Sequence, residues 1–127
     1  MRGFAKGRVI VLFGCGGDRD KTKRPIVGGI AARLADAVIV TSDNPRTENP
    51  SAIIADIVDG MIGTETPYVV LESRTEAIRF AMDNAQSGDV IVLAGKGHET
   101  YQIIGREKHH LDEREVVAEY IKEKQGF

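Results

Sequence analysis

This chain of 127 residues contains no tryptophan, and Cys15 is its only cysteine. A single cysteine excludes an intrachain disulfide. No apolar run is long enough to cross a bilayer, and no charged-then-apolar leader precedes the first apolar segment. Together these absences predict a cytoplasmic protein.

An excess of charge of either sign is also missing. Seventeen basic residues face 19 acidic ones, for a formal net charge of −2. This balance, without a basic run, gives no reason to expect nucleic acid or an anionic membrane as a partner. The three histidines, His98, His109 and His110, do not predict a metal site, because the adjacent pair lacks helical spacing and no second cysteine is available.

Short apolar runs alternate with helix-like segments along the chain. This alternation predicts an α/β fold with a parallel sheet and helical crossovers, and the length predicts one domain over residues 1–127. The predicted strands are residues 8–13, 37–41, 68–71 and 89–94, followed by a short fifth strand at 101–104 with a turn at Gly105–Arg106.

The predicted helices have recognisable start signals at Pro25, Asn49–Pro50, Ser73–Glu76 and Asp112. The tail, residues 122–127, is expected to be frayed. Apolar residues recur in each predicted helix, and those of the first helix are expected to dock it on the sheet. They are Ile26, Ile30 and Leu34 in the first helix, Ile53, Ile54, Ile57, Val58 and Met61 in the second, Ala77, Phe80 and Ala81 in the third, and Val116, Val117, Tyr120 and Ile121 in the last.

Three polar clusters each follow a predicted strand directly. They are GCGGDRD at 14–20, DNPRTE at 43–48 and GKGHE at 95–99. The carboxyl ends of parallel strands meet at one edge of a sheet, which is where open α/β sheets bind ligands. Pro45 makes the second cluster a stiff turn, since it fixes its own φ and restricts Asn44. The sequence therefore predicts one ligand site at this edge.

The glycines of the first cluster, Gly14, Gly16 and Gly17, fit two interpretations. They form either a turn that cradles phosphate or simply a tight turn. The spacing is not G-x-G-x-x-G, and no G-x-x-x-x-G-K-[ST] motif occurs in the chain. A free-standing nucleotide- or phosphate-binding module is therefore an alternative function.

The charges of the clusters suit a zwitterionic ligand. Arg19 and Arg46 follow different strands at the same edge, and each can offer a bidentate fork to a carboxylate or phosphate. Glu99 adds a negative group from a third strand end. In the alternative interpretation Arg46 pairs with Glu48 or Asp43 at the surface, where such pairs stabilise little.

In combination these clusters resemble the C-terminal domain of the Mur ligases, specifically the diaminopimelate-adding (MurE) branch. The matching segments are residues 13–20, 23–25, 41–48 and 94–99, together with Arg74, Glu76 and Ala77. The resemblance covers residues 9 to about 117. It implies a Rossmann-like three-layer sandwich, a mostly parallel sheet with helices on both faces, that lacks the first strand and helix of the family's domain.

The resemblance also implies a role for individual residues. Arg19, Asn44 and Arg46 would contact the distal carboxylate of meso-diaminopimelate, and the Gly95 carbonyl and Glu99 would take its distal ammonium. Asp43 belongs to the same substrate-binding set. The expected loop-shaping residues are Gly16, Gly17, Asp18, Pro45, Lys96 and His98. No catalytic residue is identified.

The family reaction is the ATP-dependent addition of meso-diaminopimelate to UDP-N-acetylmuramoyl-L-alanyl-D-glutamate in peptidoglycan biosynthesis. The resemblance implies ATP and Mg²⁺ in the intact enzyme, together with its ATPase and UDP-binding domains as partners. Because this chain has no phosphate loop, we expect it to bind no cofactor and to be inactive alone. A Mur ligase domain with another amino-acid substrate is the alternative, and self-association through surface exposed by the missing elements is expected.

Overall fold

Strands and helices alternate along the chain, as the sequence pattern predicts. The computed structural model describes residues 7–94, 101–104 and 106–124. The elements are β1 (Val9–Phe13), α1 (Lys23–Leu34), β2 (Ala37–Val40), α2 (Pro50–Asp59), β3 (Tyr68–Val70), α3 (Arg74–Asn84), β4 (Val90–Leu93), β5 (Tyr101–Ile104), β6 (Glu107–His110) and α4 (Glu113–Lys124).

The first four strands form one parallel sheet in the order β3-β2-β1-β4. Their carboxyl ends therefore lie at one edge, and the α/β prediction is confirmed. β5 and β6 form a separate antiparallel hairpin. β6 was not predicted, because its residues Glu-Lys-His-His show no apolar alternation; all four are exposed.

Helices cover both faces of the sheet. One core joins α1 and α2 to side chains of alternate strand residues, among them Phe13, Val38 and Val40. The other core joins α3 and α4 to Ile10, Leu12 and Ile39 on the opposite face. This arrangement follows from the strand order, since the right-handed crossovers that lead from β1 to β3 and those that lead back to β4 put helices on opposite sides. The predicted three-layer sandwich is therefore confirmed.

Two helix starts are confirmed by their caps. Asn49 accepts a hydrogen bond from the Ser51 N–H at 2.8 Å, and Ser73 accepts one from the Glu76 N–H at 3.3 Å. α4 continues through Lys124, so it includes three residues of the segment predicted to fray. Within the described ranges, no helix is long and apolar enough to cross a membrane.

The predicted packing of α1 is wrong. Ile26, Ile30 and Leu34 are 59%, 44% and 65% exposed, and the helix buries Gly28, Gly29 and Ala32 instead. The cause is a close approach to α2: a Cβ added to Gly28 would lie 2.2 Å from the Ile57 carbonyl oxygen. Because this backbone contact fixes which side of α1 faces inward, its apolar stripe points outward.

Two other apolar residues of the helices are not buried. Phe80 is 37% exposed and Ile121 is 46% exposed. The inward face of α3 passes through Ala77, Ile78 and Ala81. Phe80 therefore lies at the rim of that face, where it lines a groove of about 220 Å³ beside β3. The apolar stripe predicted for the second helix does pack in the core. Its residues are Ile53, Ile54, Ile57, Val58 and Met61.

We expect the chain to self-associate through the exposed stripe Ile26, Ile30 and Leu34, because contiguous apolar surface is seldom left in water. Sedimentation velocity should detect species larger than one chain. Ile30→Asp should shift the profile towards the monomer. Ile121→Asp, on the opposite helical layer, is the matched control and should leave the profile unchanged; a strictly monomeric wild-type chain would contradict the expectation.

Candidate functional site

Two loops at the carboxyl ends of β1 and β2 lock onto each other. We call residues 14–20 the glycine loop and residues 43–48 the proline loop. The Gly17 N–H donates to the Asn44 carbonyl at 2.7 Å, and the Thr47 hydroxyl donates to the Asp18 carboxylate at 2.7 Å. Arg46 Nη1 donates to the Gly17 carbonyl at 3.0 Å. Each loop thus holds the other at a fixed distance.

The glycines are required by this close approach. A Cβ on Gly17 would lie 1.8 Å from the Pro45 carbonyl oxygen, and one on Gly14 would lie 2.4 Å from the Thr41 oxygen. The Gly17 N–H is already bonded to Asn44, and the Asp18 N–H donates to Glu48 Oε1 at 2.7 Å. These two amides are not available to a phosphate. The geometry therefore favours the tight turn over the phosphate cradle.

Both loops contain a residue in a conformation that favours glycine. Asp18 has φ of 54° and Arg46 has φ of 53°. Such backbone strain persists only where the surroundings determine it. Here the surroundings are the opposite loop, since Thr47 holds the Asp18 carboxylate and Gly17 accepts from the Arg46 guanidinium. The interlock therefore also sets the direction in which Arg46 projects.

Arg19 and Arg46 approach the same point, Gly16. A Cβ built on Gly16 would lie 2.9 Å from Arg46 Nη1 and 3.6 Å from Arg19 Cγ. Arg46 is half-buried and Arg19 is exposed. Beside Arg19 opens a cavity of about 330 Å³ lined by Cys15, Gly16, Arg19, Asp20, Lys23 and Arg24. The Arg46 guanidinium and the aliphatic part of the Arg19 side chain thus both lie against Gly16 at the strand ends.

The other predicted residues of the proline loop form its base. Asn44 is 3% exposed, Pro45 is fully buried, and Asp43 is half-buried. The Gln102 side-chain amide donates to the Asp43 carbonyl, and Arg46 forms a backbone bridge with Ile104. The hairpin β5–β6 therefore packs directly on this loop, which the sequence analysis did not foresee.

Arg24 is the site residue that sequence reasoning missed. Its side chain is 2% exposed and forms ion pairs with Glu48 at 2.9 Å and with Asp56 at 3.0 Å. Glu48 therefore pairs with Arg24, which disfavours the surface pair between Arg46 and Glu48. One signal was available: a cation in the first turn of a helix is opposed by the helix dipole, so Arg24 required a specific partner.

A second buried arginine, Arg74, fixes the ends of β2 and β4. Its guanidinium donates to the Ser42 carbonyl at 3.3 Å, to the Ala94 carbonyl at 2.9 Å and to Glu113 at 2.7 Å. Ala94 directly precedes the third polar cluster. The four residues predicted there, Gly95, Lys96, His98 and Glu99, lie outside the described residues.

A parallel sheet with helices on both faces and charged loops at its strand ends is typical of α/β ligand-binding domains. The model of one such family, described as Mur ligase, glutamate ligase domain, matches residues 1–97. The chain belongs to the Mur ligase family.

Two curated relatives are UDP-N-acetylmuramoyl-L-alanyl-D-glutamate–2,6-diaminopimelate ligases. The chain is 62% identical over 122 residues to ligase 1 of Clostridium acetobutylicum, covering 96% of the chain and 25% of the relative. It is 58% identical over 123 residues to the ligase of Caldanaerobacter subterraneus subsp. tengcongensis, covering 97% of the chain and 26% of the relative.

A solved structure of an enzyme with the same name superposes with a TM-score of 0.88 at 42% identity, covering 95% of this chain and 25% of that one. The chain thus spans about a quarter of the length of the proteins it matches.

Glu48 makes the stability of this region depend on pH. Hydrogen bonds from the Arg24 side chain and then from the Asp18 N–H lower the pKa of Glu48 to about 2 from its ordinary 4.5. A lowered pKa stabilises the fold above pH 4.5, and this contribution is lost as the pH falls from about 4.5 towards 2.

We therefore expect Glu48→Gln to lower the melting temperature at neutral pH, and the difference from wild type to shrink as the pH approaches 2. The pKa of Asp89 is also lowered to about 2, but Asp89 contributes equally to the stability of both proteins, so its contribution does not affect the difference between them. The exposed Glu65→Gln is the control and should show no difference at any pH. A difference for Glu48→Gln that stays constant with pH would contradict the assignment.

Proposed function

We propose that this chain is the amino-acid-binding domain of a ligase that adds meso-diaminopimelate to UDP-N-acetylmuramoyl-L-alanyl-D-glutamate in cytoplasmic peptidoglycan synthesis. The observation that carries the proposal is the approach of Arg19 and Arg46 to Gly16, above the buried Asn44. The names of the relatives support diaminopimelate as the amino acid.

The chemistry of the two guanidiniums favours diaminopimelate over lysine. Both amino acids carry a distal ammonium, but only diaminopimelate carries a distal carboxylate for Arg46 and Arg19. Leaving a desolvated charge without its partner costs on the order of 2–5 kcal/mol. Because Arg19 is exposed and Arg46 is half-buried, we assign most of the selectivity to Arg46. In this proposal the Gly95 carbonyl and Glu99 bind the distal ammonium, and Asp43 belongs to the same substrate-binding set.

Two amides of the glycine loop are not free to bind a nucleotide phosphate. The amides of Gly17 and Asp18 are bonded to the proline loop, and the chain has no G-x-x-x-x-G-K-[ST] motif. The described ranges also contain no cluster of three or more metal-ligating side chains. We therefore propose that the ATP and Mg²⁺ of the reaction bind elsewhere in the longer ligase, on its ATPase domain, and that a further domain binds the UDP-linked substrate.

Arg46→Ala in the full-length ligase should abolish turnover of diaminopimelate while ATP binding is retained, because the substitution removes the proposed carboxylate contact and leaves the phosphate site intact. Steady-state kinetics and nucleotide binding measure the two properties. Arg33→Ala, at an exposed position of α1, is the matched control and should keep both. Normal turnover by Arg46→Ala would remove Arg46 from the site.

The chain alone should release no ADP when ATP, the UDP-linked dipeptide and diaminopimelate are all present, because it supplies the amino-acid site only. A coupled ADP assay measures this, with the full-length ligase as the positive control. Release of ADP above the blank by the purified chain would contradict the division of roles between domains.

A further inference from the structure

We propose that Arg24 and Glu48 act as a positioning pair that sets the distance between the glycine loop and the proline loop. The inference rests on the proposed amino-acid site, but it concerns two residues to which that proposal gives no ligand contact. Through the loops, the pair determines how the Arg46 guanidinium and the Arg19 side chain lie against Gly16.

Arg24 reaches three elements from the start of α1. Its Nη1 and Nη2 donate to Glu48 Oε2 at 3.0 Å and Oε1 at 2.9 Å, which is a bidentate fork. Nη1 also donates to Asp56 of α2 at 3.0 Å, and Nη2 donates to the Gly16 carbonyl at 3.1 Å. One guanidinium therefore ties the glycine loop, the proline loop and α2 together.

Glu48 closes the same link from the other side. Its Oε1 accepts the Asp18 N–H at 2.7 Å in addition to the Arg24 fork. Arg24 thus holds Gly16, and Glu48 holds Asp18. Gly16 also lies against Arg46 Nη1 and Arg19 Cγ, so a shift of Gly16 changes the position available to the Arg46 guanidinium and to the Arg19 side chain.

Arg24 itself is not suited to bind a carboxylate of the ligand. Two carboxylates, Glu48 and Asp56, already surround its guanidinium, and its side chain is 2% exposed. A buried ion pair is also a weak source of stability compared with apolar packing. A bidentate fork fixes geometry as well as charge, and this property fits a positioning role.

The experiment compares Arg24→Gln and Glu48→Gln in this chain with wild type, using meso-diaminopimelate as the probe. Without ligand, the amide resonances of residues 16–18 and 46–48 should shift in both variants. The dissociation constant should rise on the order of 10- to 100-fold, by analogy with metal sites, where removing the hydrogen-bond partner of a ligating side chain costs about that much affinity. The double variant, Arg24→Gln with Glu48→Gln, should bind no more weakly than Arg24→Gln alone, because both substitutions remove the same Arg24–Glu48 interaction.

Ile78→Ala is the control for a merely structural role. Ile78 is 1% exposed on the inward face of α3, which covers the other face of the sheet, so its truncation destabilises the fold without touching either loop. It should leave the dissociation constant unchanged. The comparison is made under conditions where Ile78→Ala and Arg24→Gln have equal stability. If the dissociation constants of the two variants then rise equally, Arg24 acts only through the stability of the fold and the proposal is overturned. If Arg24→Gln does not fold, Arg24→Lys, which keeps the charge and loses the fork, is judged by the same criteria.

The two proposals can fail separately. If the wild-type chain does not bind diaminopimelate, the proposed function loses its support. The resonances of the ligand-free variants still test whether Arg24 and Glu48 position the two loops. Shifts in both loops of Arg24→Gln would support the link. Unchanged resonances at residues 46–48 would overturn it, because the proline loop would then hold its position without Arg24.

Discussion

The interlock of the glycine loop with the proline loop is the constraint on which the rest of the site depends. Gly17 passes so close to Pro45 that no side chain fits between them, and the Gly17 N–H bonds to the Asn44 carbonyl. This contact accounts for the glycines, for the left-handed backbone of Asp18 and Arg46, and for the approach of the Arg46 guanidinium to Gly16. The parallel sheet contributes by bringing both strand ends to one edge.

Buried arginines extend this constraint into the helices. Arg24 joins both loops to α2, and Arg74 joins the ends of β2 and β4 to Glu113 of α4. Each arginine spends its hydrogen bonds on carbonyls and carboxylates of the protein. Arg46 also donates to carbonyls, those of Gly17 and Asn44, but its side chain is less buried than those of Arg24 and Arg74. Arg46 therefore helps to shape the site and is also the arginine that we propose binds the ligand.

The features that the sequence predicts correctly are local or periodic. The caps at Asn49 and Ser73 depend on residues two or three positions apart, and the strands are continuous apolar runs. The orientation of α1 was not predictable, because the contact of Gly28 with Ile57 joins distant residues and outweighs the apolar stripe. The partners of Arg24 were missed for the same reason, since they lie 24 and 32 positions away. The location of the charged clusters at one edge of the sheet was predictable, because each cluster directly follows a predicted strand.

The most direct test of the central claim is an amide NMR titration of this chain with meso-diaminopimelate, and with L-lysine in parallel. The account predicts that the resonances of Gly16, Arg19, Asn44 and Arg46 shift with diaminopimelate and stay in place with lysine, because only diaminopimelate offers a distal carboxylate to the two guanidiniums. Equal shifts with both amino acids, or shifts confined to other parts of the chain, would contradict it.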